Sequence, residues 1–178
     1  MPRSTGARAA ACIALATALY ACSPSLNWRT LTLGSLRFTL PCKPDQAARD
    51  VVLGEASRAL EMRGCEADGA LFAVSRIALE PADDASAIVQ AWKVAALTAM
   101  QAKPSTVLDV APPSYRRLPE AKTPVWLSAK GRQSQGAEIQ AQLGWMVVGR
   151  EVFHLAVYSP NLVSAAVAPM MTDIDRPQ

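Results

Sequence analysis

His154 is the only histidine in this 178-residue sequence, and histidine is the side chain whose ordinary pKa best suits acid–base chemistry near neutral pH. It lies in a nearly continuous apolar stretch, residues 152–158, that follows the Gly149-Arg150 turn and that we predict to be a β-strand. The sequence has no set of converging zinc ligands, no G-x-S-x-G pattern and no glycine-rich phosphate loop. We therefore interpret His154 as a structural, half-buried residue and predict no catalytic residue, no metal site and no cofactor.

The first 21 residues have the three parts of a secretory signal peptide. Arg3 and Arg8 give a basic start, an apolar run covers residues 9–19, and small residues precede Cys22. The apolar run is too short to span the roughly 30 Å hydrocarbon core of a membrane. We therefore predict that residues 1–21 are removed and that the rest of the chain is exported.

The residues around Cys22 indicate how the exported chain is held. The tetrapeptide that ends at Cys22 resembles a bacterial lipobox, although Tyr20 stands where a small residue is usual. The resemblance implies lipid attachment at Cys22 and a tether over residues 22–27 in the bacterial cell envelope. Ser23 resembles the residue at this place in outer-membrane lipoproteins, which implies the periplasmic face of the outer membrane. The alternative is cleavage after Ala18, which leaves Cys22 as an ordinary thiol.

The remaining cysteines suggest one disulfide bond. Cys12 leaves with the signal peptide and Cys22 is assigned to lipid, so Cys42 and Cys65 remain as a pair in an oxidising compartment. The alternative is two unpaired, buried thiols. Cys65 ends a predicted strand over residues 58–65, and alternation along that strand places Cys65 on the face opposite Leu60 and Met62. We therefore also predict a β-bulge at Gly64 that turns Cys65 toward Cys42.

Charge argues against a nucleic-acid-binding function. The whole sequence has 18 Lys and Arg against 15 Asp and Glu, but Arg3 and Arg8 lie in the signal peptide. Without those two residues the exported part has 16 basic residues against 15 acidic ones. This near balance predicts no nucleic-acid partner.

Alternating apolar residues predict a sheet made largely of hairpins. The Gly34-Ser35 and Asp68-Gly69 dipeptides supply two tight turns, and residues 43–48 have the composition of a loop. A meander of three or four antiparallel strands occupies the second half of the chain. The predicted strands cover residues 31–33, 36–40, 50–53, 58–65, 70–79, 107–111, 125–130, 137–143, 145–148 and 152–158.

Apolar residues at helical spacing predict two helices. The first covers residues 85–102, and we interpret Asp83 and Asp84 at its start as capping residues and not as a cation site. The second follows Ser159-Pro160, which supplies a cap and a proline at the first helical position. The predicted buried faces are Ile88, Trp92, Ala95, Ala96 and Ala99 in the first helix, and Val163, Val167, Met170, Met171 and Ile174 in the second.

The order of these elements, with the strand Leu-Arg-Phe-Thr-Leu-Pro at residues 36–41, resembles the PsbP-like α/β/α sandwich family over residues 28–174. The chain is also similar to small uncharacterised bacterial lipoproteins that carry a cysteine after this strand, as Cys42 does here. The resemblance implies an α+β fold, with an antiparallel sheet of about six to eight strands flanked by helices in a single domain over residues 28–178. Members of the family mostly act as binding or assembly modules without catalysis.

The longest irregular segment, residues 112–124, contains the exposed charge that most suggests a contact surface. Arginine beside tyrosine is common at binding surfaces, and two lysines and an arginine farther along the chain extend the predicted patch. The alternative is a solvated loop without a partner. The candidate interaction surface consists of Tyr115, Arg116, Arg117, Lys122, Lys130 and Arg132.

These observations predict a lipid-anchored envelope protein that acts as a non-enzymatic accessory or protein-interaction module. Its partners are the membrane, through the lipid anchor, and an envelope protein. The alternative is a periplasmic carrier of a small apolar molecule, which requires a cavity of about 300 Å³ or more beneath the alanine-rich helix. An enzyme is a less favoured alternative, because it requires His154 in an accessible cleft.

Overall fold

The computed structural model describes residues 26–113, 118 and 121–177. Within these ranges the chain forms nine β-strands and two α-helices, with a 3-10 turn at Pro104–Thr106. The strands are β1 (Arg29–Leu33), β2 (Leu36–Leu40), β3 (Asp45–Leu53), β4 (Ala56–Ala67), β5 (Ala70–Ala78), β6 (Val107–Asp109), β7 (Lys122–Arg132), β8 (Glu138–Val148) and β9 (Glu151–Ser159). The helices are α1 (Ala85–Ala99) and α2 (Ser164–Thr172).

Strands β3 to β9 form one antiparallel sheet in the order β3-β4-β5-β9-β8-β7-β6, and β1 and β2 form a separate hairpin. Seven strands and two helices confirm the predicted sheet of six to eight strands flanked by helices. The predicted turn at Asp68-Gly69 is also confirmed. Both residues have positive φ angles, 50° and 70°, as the tight hairpin turn requires.

Different elements cover the two faces of the sheet. On the α1 face, the helix α1 packs over Ile77, Trp145 and Val152. On the hairpin face, β1, β2 and α2 pack over Val74 and Phe153. Because successive side chains of a strand point to opposite faces, neighbouring residues of β5 and β9 contribute to two separate cores.

The disulfide bond between Cys42 and Cys65 forms as the cysteine count predicts, with the two Cα atoms 6.0 Å apart. The bulge predicted at Gly64 is wrong, because β4 pairs with both of its neighbours in continuous register through this residue. The prediction assumed that Cys42 lies on the same face as Leu60. The separate β1–β2 hairpin instead covers the opposite face, so Cys65 meets Cys42 in a regular strand.

Of the two aspartates predicted to cap α1, Asp84 does so and Asp83 does not. The Asp84 carboxylate accepts hydrogen bonds from the backbone N–H groups of Ser86 (2.8 Å) and Ala87 (3.3 Å). Asp83 accepts two hydrogen bonds from the Arg58 guanidinium, at 2.5 and 2.7 Å, and these bonds lower the pKa of its carboxyl. Asp84 therefore begins the helix, and Asp83 joins the segment before the helix to Arg58 on β4.

The buried face of α1 differs from the predicted one. Ile88 and Trp92 are buried as expected and Ala96 is half-buried, but Ala95 and Ala99 are exposed. The helix also ends at Ala99, three residues earlier than predicted, because the chain reverses direction just beyond it. The second half of α1 therefore lies less closely against the sheet than the first half.

Three other segments differ from the sequence predictions. β3 begins at Asp45, because residues predicted to form a loop pair with β4 along the edge of the sheet. The two strands predicted around Gly144 are one continuous strand, β8. The second helix begins at Ser164, so Ser159 ends β9 and does not cap the helix; Val163 is exposed.

Ion pairs fasten the hairpin to the sheet and to the last described residues. Arg37 donates two hydrogen bonds of 2.5 Å to Asp175. Glu151 accepts hydrogen bonds from the backbone N–H of Ser35 at 2.8 Å and from the Arg76 guanidinium. Burial opposes ionisation of Glu151, but these two donors outweigh it and lower the pKa of the carboxyl. Neither helix in the described ranges is long and apolar enough to cross a membrane.

Candidate functional site

His154 is enclosed in the core on the α1 face. Its ring stacks on Trp145 with centroids 4.3 Å apart and meets the edge of Trp92 at 5.4 Å. Nδ1 lies 3.0 Å from the carbonyl oxygen of Gly144, which can only accept, so Nδ1 carries the proton. Burial lowers the pKa of His154 to about 4. The ring is therefore a neutral packing element, more deeply buried than the sequence predicts, and it is not accessible as a general base.

The described residues contain no group of three or more His, Cys, Asp or Glu side chains placed to hold a metal ion. The acids that the sequence singles out have other roles, since Asp83 binds Arg58 and Asp84 caps α1.

A groove of about 640 Å³ opens on the α1 face, between the last turns of α1 and one end of the sheet. Its floor consists of Leu71 on β5, Tyr158 on β9 and Ile139 on β8. Leu71 and Tyr158 are directly opposite each other in the β5–β9 pair. Leu71 is 40% exposed although β5 has a paired strand on each side, which reflects the open space above it at this end of the sheet.

The helix leaves this space open because its side chains become short. Its first half fills the α1 face with Ile88, Val89 and Trp92, whereas its second half presents Ala96 and Ala99 to the groove. Met100 closes the inner end of the groove. The strands extend beyond this part of the helix, so apolar floor residues remain uncovered.

Hairpin tips border the groove on two sides. At the β4–β5 turn the border consists of Glu66, at the end of β4, and Asp68, and at the β7–β8 turn of Arg132, at the end of β7, and Ser134. Burial raises the pKa of the Tyr158 hydroxyl, which lies on the groove floor. The groove therefore has a floor of low polarity and a polar rim.

Two further recesses adjoin the groove. One, of about 460 Å³, lies beside the disulfide and shares Glu66 and Leu71 with the groove. The other, of about 280 Å³, is lined by Lys103, Lys130 and Arg132 and shares Arg132 with the groove. Open space therefore runs across this end of the sheet, from the acidic β4–β5 turn to the basic end of β7.

The structure divides the predicted interaction surface. Tyr115, Arg116 and Arg117, like the predicted lipid-attachment residue Cys22, lie outside the described residues. Lys122 is exposed at the start of β7, while Lys130 and Arg132 are exposed at its end. Eight residues of extended strand separate Lys122 from Lys130, about 27 Å. Lys130 and Arg132 therefore belong with the groove end of the sheet and not with Lys122, and the role of the tyrosine–arginine loop stays a prediction.

Sequence reasoning identified the alanine-rich helix but missed the residues beneath it. Leu71 and Tyr158 alternate in phase with buried neighbours, so the sequence pattern assigns them to the core. Only the length of α1 relative to the strands reveals that they remain uncovered.

Comparison of the chain with protein-family models and with curated protein sequences finds no match.

Proposed function

We propose that the chain is a lipid-anchored, non-enzymatic accessory protein of the bacterial cell envelope, built as a PsbP-like α/β/α sandwich, that holds a small apolar ligand. The observation that carries this proposal is the groove of about 640 Å³ above Leu71, Ile139 and Tyr158. Small-molecule sites are commonly clefts of about 300–1,000 Å³ with a mainly apolar lining and a few polar groups. The groove has both properties.

The position of the groove supports a binding role over a packing defect. Its floor lies on a rigid sheet between paired strands, and its rim comes from two hairpin turns. Ligand release then requires no rearrangement of the core. His154, the side chain best suited to acid–base catalysis, is buried against Trp145 away from solvent, so we propose binding without chemistry.

Ligand binding can be tested by titrating the mature protein with N-phenyl-1-naphthylamine, a neutral apolar dye that fluoresces in apolar sites. Ala99→Trp places a large side chain in the groove, and Ala95→Trp is the matched control, because Ala95 is also exposed on α1 but does not line the groove. We expect saturable binding to the wild type and to Ala95→Trp, and binding at least about tenfold weaker to Ala99→Trp. Equal binding to both variants, or no saturable binding, would overturn the proposal.

The proposed anchor has a separate test. Intact mass spectrometry of the protein from a bacterial host should give a lipid-modified mass that begins at Cys22, and Cys22→Ala should abolish it. A lipid-free mass that begins at Leu19 would overturn the anchor and leave an exported carrier. If the protein is lipid-modified, separating the inner and outer membranes tests the proposed location on the periplasmic face of the outer membrane.

A further inference from the structure

The recess next to the groove carries an excess of positive charge. It is lined by Lys103, Lys130 and Arg132, with Glu138 as its only acid among the described residues. All four residues are exposed, so their charges face solvent and are not used in a core ion pair. The recess and the groove are contiguous, because Arg132 and Ile139 line both of them.

Backbone contacts fix the walls of this recess. The Thr106 hydroxyl lies 2.7 Å from the carbonyl oxygen of Lys103 and 2.8 Å from that of Lys130, so the segment after α1 is fastened to β7. The backbone N–H of Arg132 donates to the carbonyl oxygen of Met100 at 2.7 Å. That carbonyl occupies the space where a side chain at Gly131 would lie. These contacts fix the backbone at the three cationic residues beside Met100, and their side chains are exposed.

The opposite border of the groove is acidic. Glu66 and Asp68 lie at the β4–β5 turn, and β4 is separated from β7 by three intervening strands. At roughly 4.8 Å per strand, the acidic and basic borders are about 19 Å apart. An anionic group is thus repelled at one border and attracted at the other, while the floor between them is apolar.

We infer that the ligand is a single-chain anionic amphiphile, with its carboxylate or phosphate head in the recess of Lys103, Lys130 and Arg132 and its hydrocarbon chain along the groove. This inference rests on the proposed function, since it names the ligand class of the same groove. The head points toward β7 and the chain runs toward β4. The recess repels a cationic head, which would have to lie at the acidic border in the reverse orientation, and a neutral amphiphile gains only from the apolar floor.

The inference can be tested by displacement of the neutral dye from the mature protein. The competitors are dodecanoate, dodecyl phosphate, dodecanol and dodecylamine, each used below its micelle-forming concentration. We expect both anions to displace the dye at concentrations at least about tenfold lower than dodecanol or dodecylamine. The preference should shrink at high salt, because the cations are exposed. A difference between dodecanoate and dodecyl phosphate would identify which head the recess prefers.

Single variants identify the cations that matter. Lys103→Gln, Lys130→Gln and Arg132→Gln should each weaken dodecanoate binding about threefold, and the triple variant about tenfold or more, with dodecanol binding unchanged. Lys122→Gln is the matched control, because it removes an exposed lysine from the other end of β7. Circular dichroism and the unfolding midpoint check that each variant is folded.

The outcomes separate this inference from the proposed function. If all four competitors displace the dye equally, or if the triple variant keeps the preference for anions, the inference is wrong but the apolar groove stands. If none displaces a bound dye from the wild type while Ala99→Trp still binds it, both proposals fail.

Discussion

The rings of His154 and Trp145 lie parallel, with their planes 7° apart and their centroids at 4.3 Å. Gly144 completes this arrangement from the next strand position, since its carbonyl accepts a hydrogen bond from Nδ1. No charged side chain takes part in the stack, so the imidazole is stable there only in its neutral form. The protein has therefore placed its single histidine where protonation opposes folding.

We predict that this histidine makes the fold sensitive to mild acid. Burial lowers the pKa of His154 to about 4, below its ordinary 6.5, so the unfolded chain takes up a proton at higher pH than the folded chain. Stability from this group is complete above pH 6.5 and falls as the pH drops toward 4. The free energy of unfolding should decrease by about 2 kcal/mol between pH 7 and pH 5.

Urea denaturation of the wild type and His154→Phe at several pH values checks this prediction. Phenylalanine keeps a flat ring against Trp145 but cannot be protonated. The free energy of unfolding of the variant should therefore change little between pH 7 and pH 5. The lowered pKa values of Asp83 and Glu151 affect stability only below pH 5, so they leave this window clear. If the free energy of unfolding changed equally with pH in the two proteins, His154 would not be the cause of the acid sensitivity.

The Cys42–Cys65 bond should contribute strongly to stability. It links residues 23 apart in sequence and joins the end of the β1–β2 hairpin to β4, the strand next to one edge of the sheet. In the chain-entropy model, closing a loop of this size is worth about 3 kcal/mol. In urea denaturation, the Cys42→Ser/Cys65→Ser variant should have a free energy of unfolding lower by about that amount, whereas that of Cys22→Ala should not change. Two freely alkylated thiols in the oxidised wild type would exclude the bond.

Gly144 should not tolerate a side chain. It lies opposite Trp126 in the β7–β8 pair, and a Cβ atom at this position would lie 2.5 Å from the Trp126 ring. We expect Gly144→Ala to lower the free energy of unfolding by about 1–3 kcal/mol. In a Trp126→Leu background the same substitution should cost less, since the ring is gone. Equal costs in the two backgrounds would show that the ring is not the cause.

Filling the groove should alter the titration of Tyr158. Burial already raises the pKa of this hydroxyl, and a bound ligand removes the remaining water above it, so the pKa should rise further. Ultraviolet difference titration, with and without dodecanol, measures this shift, and Tyr158→Phe identifies the signal. A titration that is unchanged by a saturating ligand would mean that the ligand lies elsewhere.

Local patterns predicted much of the fold, because the signals involved are short-range. The Asp68-Gly69 turn, the Asp84 cap and the apolar run along β9 each act within a few residues. The bulge at Gly64 was wrong for a long-range reason: whether a bulge is needed depends on which face the β1–β2 hairpin covers. Alternation gives the two faces of a strand but not what packs against each of them.

The groove could not be predicted from the sequence, for a related reason. Leu71 and Tyr158 have the pattern of core residues, and what distinguishes them is the space that Ala96 and Ala99 leave above them. That space depends on where α1 crosses the sheet. The cationic recess likewise brings Lys103 close to Lys130 through a turn whose path no local signal specifies.

The first described residues determine where a membrane would lie relative to the groove. The backbone N–H of Asn27 donates to the carbonyl oxygen of Pro41 at 2.6 Å, and Trp28 packs edge-on against Phe72, the neighbour of Leu71 on β5. The five residue steps from Asn27 to Cys22 can span at most about 17 Å. If a lipid is attached at Cys22, this short tether keeps the groove end of the sheet within a few nanometres of the bilayer surface. An amphiphile that leaves that leaflet then meets the groove at an effective concentration set by the tether and not by its solubility in water.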